Sequence, residues 1–433
     1  MSETRSADNN CVKRLSAGSA VVVIALLLAG AARGQQPGDK WLGEEERGRL
    51  ERLREGGNEA LYNLDFAAAR THFSELARLF PEHPAGPQYL ASTLLLETLY
   101  KTGRLRASLY GANSSYARAV DKVDPEAANQ FWALTRDAQK LASARLKQHP
   151  KDAEALYYLG SVAALKATFE GTVEGRHLAA LADGCEAVEN HRRVLKLDPT
   201  YIDAEFTVGV YNYVLGSLPL PAKLATGLFG AHGSKKKGLA AVERVAKEGA
   251  AARAQARVLL VIFYAREKRY GEAAELAQQL AARYPRNYLY RLEAADSLLE
   301  QATAGRAKRT PVDADAAGEA FAIYEALLRD REVAGTEGRP TDFIHFKYGE
   351  ALMKAGQTER AAAEFLAAAK AEGAGEELTT MAHLNAARAL GASNRRDEAT
   401  AQYRLVLLRP DVTGAHDEAR KGLDDLTGGK RAR

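Results

Sequence analysis

An all-α fold is what this sequence predicts: a right-handed α–α superhelical solenoid of irregular helical hairpins. Three observations predict it. The stretch Tyr348–Gly373, YGEALMKAGQTERAAAEFLAAAKAEG, reads as two amphipathic helices joined at Gly356-Gln357-Thr358. Its spacing of small and aromatic residues recurs, more or less worn, at several other places. No stretch shows the sustained apolar/polar alternation that a half-buried strand requires, so no sheet is expected.

The spacing has a physical reason. Gly349 has no side chain to hold a neighbouring helix away. On the second helix Ala361, Phe365 and Ala368 share one face at the i, i+4, i+7 spacing of a core stripe. Small, large, small is what one ridge needs to enter a facing groove. Glycine, then alanine twelve residues on, then an aromatic sixteen on, resembles the tetratricopeptide repeat, a helix–turn–helix unit of about 34 residues. One such unit cannot bury its apolar face alone, so several must stack. The resemblance implies that first helices line a concave groove where proteins or peptides dock.

The chain has 433 residues, 46% hydrophobic and 27% charged. That is more than one compact core organises, a limit a solenoid avoids by growing in one dimension. The formal charge of +4 is spread over interspersed acids and bases. This is no nucleic-acid footprint, and the expected partner is a protein or peptide. No cofactor or metal is expected. The cysteines are Cys11 and Cys185. Cys11 lies in a segment expected to be removed, which would leave Cys185 alone and stability to helix packing.

In order along the chain, residues 1–34 read as a secretory signal peptide. They have a polar start ending at Lys13-Arg14, the apolar run Ala20–Ala29, and small residues after it. The alternative is an uncleaved membrane anchor, for which the uncharged stretch Leu15–Ala32 is just long enough. The location implied is periplasmic or secreted, with membrane contact possible but not required. Residues 35–43 read as a linker, 44–427 as the repeat solenoid and 428–433 as a disordered basic tail. The first hairpin places Gly57, Ala69, Phe73 and Pro81 at the spacing of the Tyr348 unit. Gln88–Tyr100 and Ala117–Gln148 are helical with poor repeat spacing. Gly160 pairs with Ala187 across 27 residues instead of 12, so about fifteen residues are inserted or prolong the helices. Tyr201–Leu215 is a first helix with Gly209 in position. The spacing then fails until Leu239–Gly249. Regularity returns at Arg253–Pro285, and Asn287–Gln301 with Ala316–Arg329 forms a looser pair. Ala387, Ala399 and Tyr403 mark a last hairpin, and Val412–Leu426 a terminal capping helix.

The middle adds a narrower resemblance. AEFTVGVYNYVLGSLPLPAKLATGLFG, then KKKGLAAVERVA and VLLVIFYA, is similar to the core of the tetratricopeptide family-39 type over about ninety residues. The shared features are the glycine–aromatic first helix, the Ser217-Leu218-Pro219 break, a short helix closing at Phe229-Gly230 and the Gly238-Leu239 start. The turn Gly233-Ser234-Lys235-Lys236-Lys237 departs from the acidic turn usual there. Members are adaptor-like, which implies a scaffold without catalysis.

Counting from Gly160 and Gly209, the groove-facing positions are Glu154, Tyr157, Ser161, Asp203, Phe206, Val210 and Tyr213. Tyr157, Phe206, Val210 and Tyr213 are the candidate partner-binding residues, since aromatics with a polar tip give large contact area for little entropy. The competing reading has Tyr157, Tyr211 and Tyr213 packed between helices. Arg54 and Asn58 fall where some tetratricopeptide domains grip a terminal carboxylate, but Tyr89 stands where another Asn is wanted. Lys235-Lys236-Lys237 reads as a solvated turn, lacking phosphate-loop spacing. His177, Cys185, Glu186 and His191 are too dispersed along helices for a zinc site. The function implied is an exported, non-enzymatic scaffold. The alternative is a periplasmic accessory protein for solute or lipid transport, with a pocket in the irregular 200–250 region.

Overall fold

The protein's structure, a computed structural model, describes residues 41–102, 105, 124–219, 223, 233–304, 312–330, 341–412 and 414–428. These residues fold as helices from Glu44 to Gly428, and none of them is in a strand. The hairpins are α1 (Glu44–Tyr62) with α2 (Phe66–Leu79), α3 (Ala85–Lys101) with α4 (Pro125–Gln148), and α5 (Ala153–Phe169) with α6 (His177–Leu197). Then come α7 (Ala204–Ser217) with α8 (Lys235–Glu248), next α9 (Arg253–Arg266) and α10 (Tyr270–Arg283) in sequence, and α11 (Tyr288–Thr303) with α12 (Ala314–Arg329). The last are α13 (Thr341–Ala355) with α14 (Thr358–Lys370) and α15 (Glu376–Ala392) with α16 (Arg396–Leu407), followed by α17 (Ala415–Gly428). The chain divides into two compact units, Met1–Phe263 and Tyr264–Arg433. The expected signal segment, most of the linker and the basic tail lie outside the described residues. Among those described, no helix is long and apolar enough to cross a membrane.

Four helix-to-helix connections use the same turn. Leu64, Lys268, Gly356 and Asn394 each adopt a left-handed backbone, with φ of 63°, 60°, 86° and 61°. Each stands two residues before a second helix. The next N–H returns to a carbonyl five residues back: Asp65 to Ala60 at 2.9 Å, Arg269 to Tyr264 at 2.8 Å, Gln357 to Leu352 at 2.8 Å and Arg395 to Leu390 at 2.9 Å. This is the Schellman stop, which satisfies carbonyls a helix end leaves open. Glycine enters that backbone at little cost; leucine and lysine do not.

Helix contacts inside these hairpins follow the small-residue pattern. A β-carbon at Gly57 would lie 2.3 Å from the Phe73 ring, and one at Gly349 would lie 2.7 Å from Phe365. Ala69, Ala361 and Ala399, the expected small residues of the second helices, are fully buried. In the third hairpin His191 fills the aromatic place, 2.7 Å from where a β-carbon on Gly160 would stand. The extra residues there prolong the helices: α5 runs on into a π-helical turn, Glu170–Glu174, and Gly175 reverses the chain with φ 68°. Phe131 of α4 stacks on Phe169 at 4.0 Å, tying the lengthened end to the hairpin before it.

The irregular middle differs from expectation in one respect. Lys235, Lys236 and Lys237 are not a turn: Ser234 caps α8 by accepting the Lys237 N–H at 3.3 Å, and the lysines form its exposed first turn. Gly238 lets α8 approach α7, since a β-carbon there would be 2.3 Å from the Tyr213 nitrogen. The short helix expected to close at Phe229-Gly230 lies outside the described residues. At the far end α17 covers the last hairpin, with Gly422 against the Tyr403 ring.

Candidate functional site

The four residues expected to line a groove are inside the protein. Tyr157 is 0% exposed, Phe206 3%, Val210 1% and Tyr213 1%. Tyr157 lies 4.9 Å from His191 and 5.0 Å from Tyr201, ring to ring, and Tyr213 stacks on Phe263 at 3.7 Å. They are packing residues between helices, and this corrects their assignment as an open recognition surface. The reason is register. The residue three before the helix-contact glycine is buried each time, as at Tyr157, Phe206 and, counted from Gly349, Phe346 at 2% exposure; Tyr157 packs on His191 of α6 and Phe346 on Phe365 of α14.

Around Tyr157 the N-terminal unit holds a sealed polar core. Arg54 of α1 and the rings of Tyr89, Tyr158 and Tyr201 are all buried. Burial, with nearby Asp203 adding to it, raises the Tyr157 hydroxyl well above its ordinary range. Asp203 is structural. Its carboxylate accepts the N–H groups of Ala250 at 3.1 Å and Ala252 at 2.8 Å, which fixes the α8–α9 turn against the start of α7. Nearby, His83 accepts the Ala85 N–H on Nδ1 at 3.2 Å and turns Nε2 toward Glu154 at 3.6 Å. Arg47 reaches the other Glu154 oxygen at 3.3 Å. Burial opposes the Glu154 charge, but His83 and Arg47 outweigh it and hold the carboxyl below its usual value. The ring of Trp41 covers His83 at 4.7 Å. The arrangement fixes α1, the α2–α3 turn and α5 together.

Residues proposed for a metal or thiol site do not converge. His191 donates from Nε2 to the Tyr157 carbonyl at 3.1 Å. Cys185 is buried beside Leu215 and Leu218. Among the described residues no group of three or more His, Cys, Asp or Glu is placed to hold a metal ion.

An accessible polar face occurs instead in the C-terminal unit, where successive first helices α11, α13, α15 and α17 touch one another. Glu293, Asp296 and Glu300 recur along α11, and Lys347, Glu350 and Lys354 along α13. Lys347 bridges Asp296 at 3.1 Å and Glu350 at 3.3 Å, and Lys354 pairs with Glu300. Tyr324 of α12 donates its hydroxyl to Asp296 from behind. Burial opposes the Lys347 charge, but Asp296 and Glu350 outweigh it and hold the ammonium above its ordinary range. Outward from this anchored centre the side chains open: Glu300 is 45% exposed, Glu350 38% and Lys354 37%. Glu350 lies one residue after Gly349, the offset that Ser161 and Val210 have in the positions first counted, and Lys354 lies five after it. The signal that could have found them is the matched acid and base at i, i+3 or i+4, i+7 on consecutive first helices. On the second-helix side of this unit Ala281, Ala294, Ala322, Ile323 and Ala326 line a groove of about 340 Å³, with Gln278 bonded to Glu319 at 2.7 Å.

No family model and no curated protein matches the sequence. Solved structures similar to it include human IFIT1 as a dimer with PPP-AAAA, 15% identical, covering 89% of this chain and 86% of that one, TM-score 0.40. A tetratricopeptide repeat protein from Parabacteroides merdae is 15% identical over 77% of this chain and 99% of its own, TM-score 0.30. A thermophilic TPR protein of Thermus thermophilus is 17% identical over 59% and 99%, TM-score 0.31. The protein's own hairpins, with glycine set against an aromatic and a shared Schellman turn, make it an all-α protein of repeated helical hairpins.

Proposed function

We propose that this protein is an exported, non-enzymatic scaffold that binds a protein or peptide partner along the first-helix face of its C-terminal unit. The observation that carries this reading is the charged ladder of α11 and α13. A helix layer needs apolar contacts to hold its own hairpins; Leu292, Leu298, Phe343 and Phe346 supply them and are buried. Glu300, Glu350 and Lys354 are half-exposed beside them and add little to stability, since such pairs contribute about 0–1 kcal/mol. A fixed array of charges is suited to giving a bound chain its register and orientation. The narrower resemblance of the middle region to adaptor-like proteins agrees with this role, as does the apolar leader-like run Ala20–Ala29 with export.

Two experiments test the reading. Mild cross-linking in an envelope fraction should capture a protein that the doubly charge-reversed form, Glu300→Lys with Glu350→Lys, fails to capture while keeping its helical circular dichroism. Equal capture by both forms would end the assignment of this face. Cell fractionation with N-terminal sequencing should find a chain starting near Gly34 outside the cytoplasm; an intact chain in the membrane would favour the anchor. In the region where the transport alternative places its pocket, Phe206 and Tyr213 are buried.

A further inference from the structure

Three large apolar side chains are exposed among the described residues, and two of them stand together at the C-terminal end of α16: Leu405 at 38% and Leu408 at 82%. With exposed Ala401 they form a stripe at the i, i+4, i+7 spacing of one helix face. This is not the face that holds the fold. Ala399, Tyr403 and Val406 are buried on the other side of α16. There α17 packs on α15 and α16, with Gly422 against Tyr403. The stripe begins two residues after the small contact residue Ala399. The matching positions hold Thr71, Glu75 and Arg78 in α2, and Ala363, Ala367 and Lys370 in α14. A hairpin therefore closes without leucine there. Apolar anchors aligned over two turns, on a face the hairpin does not use, suit the docking of a second helix. We propose that the stripe is where two copies of this chain pair, α16 against α16, antiparallel about a twofold axis.

The charges along α16 select that occupant and that direction. Its first turn carries Asp397 and Glu398, and its other end carries Arg404 and Arg409. In an antiparallel pair the acidic end of each copy lies beside the basic end of the other. Asp397 then meets Arg404 along one flank of the stripe, and Glu398 meets Arg409 along the other. A parallel pair would set like charges side by side. Glu398 is already held by Arg395 at 2.7 Å, so Asp397 is the acid available to Arg404. Ala401 of each copy leaves room for Leu405 of the other, small against large. A face that is its own complement is what a twofold interface requires. The helix has 12 residues, a length of about 18 Å. Two faces of that size bury less than the roughly 1,200–2,000 Å² of a stable complex, so the pairing is reversible and depends on concentration. The stripe is on a second helix and is separate from the charged ladder of α11 and α13.

Sedimentation equilibrium of the purified protein tests the pairing. The weight-average mass should rise from that of one chain toward twice that value between about 5 µM and about 500 µM. Leu405→Gln with Leu408→Gln changes exposed positions only. It should keep the parent's helical circular dichroism, melt close to the parent, and stay at the mass of one chain throughout. Asp397→Arg should weaken association about fivefold, and adding Arg404→Asp should restore it. A parent that remains a monomer over the whole range would overturn the proposal and leave the stripe to a different protein. A dimer that persists in the leucine variant would overturn it by placing the contact elsewhere. Association that the added Arg404→Asp does not recover would overturn the antiparallel arrangement.

Discussion

A methyl group at Gly57 would stand 2.3 Å from the Phe73 ring, inside any permitted contact. Phe73 is fully buried and stacks on Tyr89 at 4.9 Å, so it has nowhere to retreat. Gly57→Ala is therefore expected to cost about 1–3 kcal/mol in denaturant unfolding, the usual penalty for overpacking. His191 carries a different burden in the equivalent place. Burial drops its imidazole to about 4, against the ordinary 6.5, with only the Tyr157 carbonyl working the other way. Below pH 6.5 the unfolded chain takes a proton that the folded one refuses, so stability falls with acidification until about pH 4. Phenylalanine, which fills this place in the first hairpin and in the Tyr348 hairpin, cannot titrate. His191→Phe should flatten the fall in melting temperature between pH 6.5 and 4 relative to the parent.

The Schellman turn is where sequence legibility divides at the scale of elements. Gly356 announced it; Leu64, Lys268 and Asn394 hold the same left-handed backbone without a glycine to reveal it. Lys268 is exposed, so its side chain gives nothing back for the strain. Lys268→Gly should raise stability by about 0.5–1.5 kcal/mol, the αL penalty less the entropy glycine adds to the unfolded chain, measured by thermal melts. The hairpins themselves were readable because a glycine-to-aromatic contact needs fixed residue types at fixed intervals, as at Gly349 and Phe365. The fifteen extra residues of the third hairpin were readable as a spacing, but the π-turn that absorbs them was not, because hydrogen-bond register leaves no mark in composition. The proposed binding face was missed for a related reason. Tyr157 and Phe206 are aromatic and lie on first helices, which suits a recognition surface and a buried contact equally well. Only the facing helix decides between them. The charges of α11 and α13 were visible, but their pairing across two helices depends on how far one is shifted along the other.

At the scale of the whole chain, the division after Phe263 has a measurable consequence. Repeat arrays depend on nearest-neighbour contacts, and units with separate cores can unfold separately. Each unit has its own buried core: Phe131, Tyr158 and Phe169 in the first; Tyr324, Phe346 and Phe365 in the second. Both tryptophans, Trp41 and Trp132, fall in the first unit, whereas helices report from both. Denaturant titration followed by tryptophan emission should give one transition, and circular dichroism at a helix wavelength should give a broader or two-step curve with a different midpoint. A destabilising change confined to the second unit, such as Phe365→Ala at a cost of about 3–5 kcal/mol, should move the dichroism curve and leave the emission midpoint in place. Coincident curves that shift together in that variant would mean that the repeats unfold as one cooperative body.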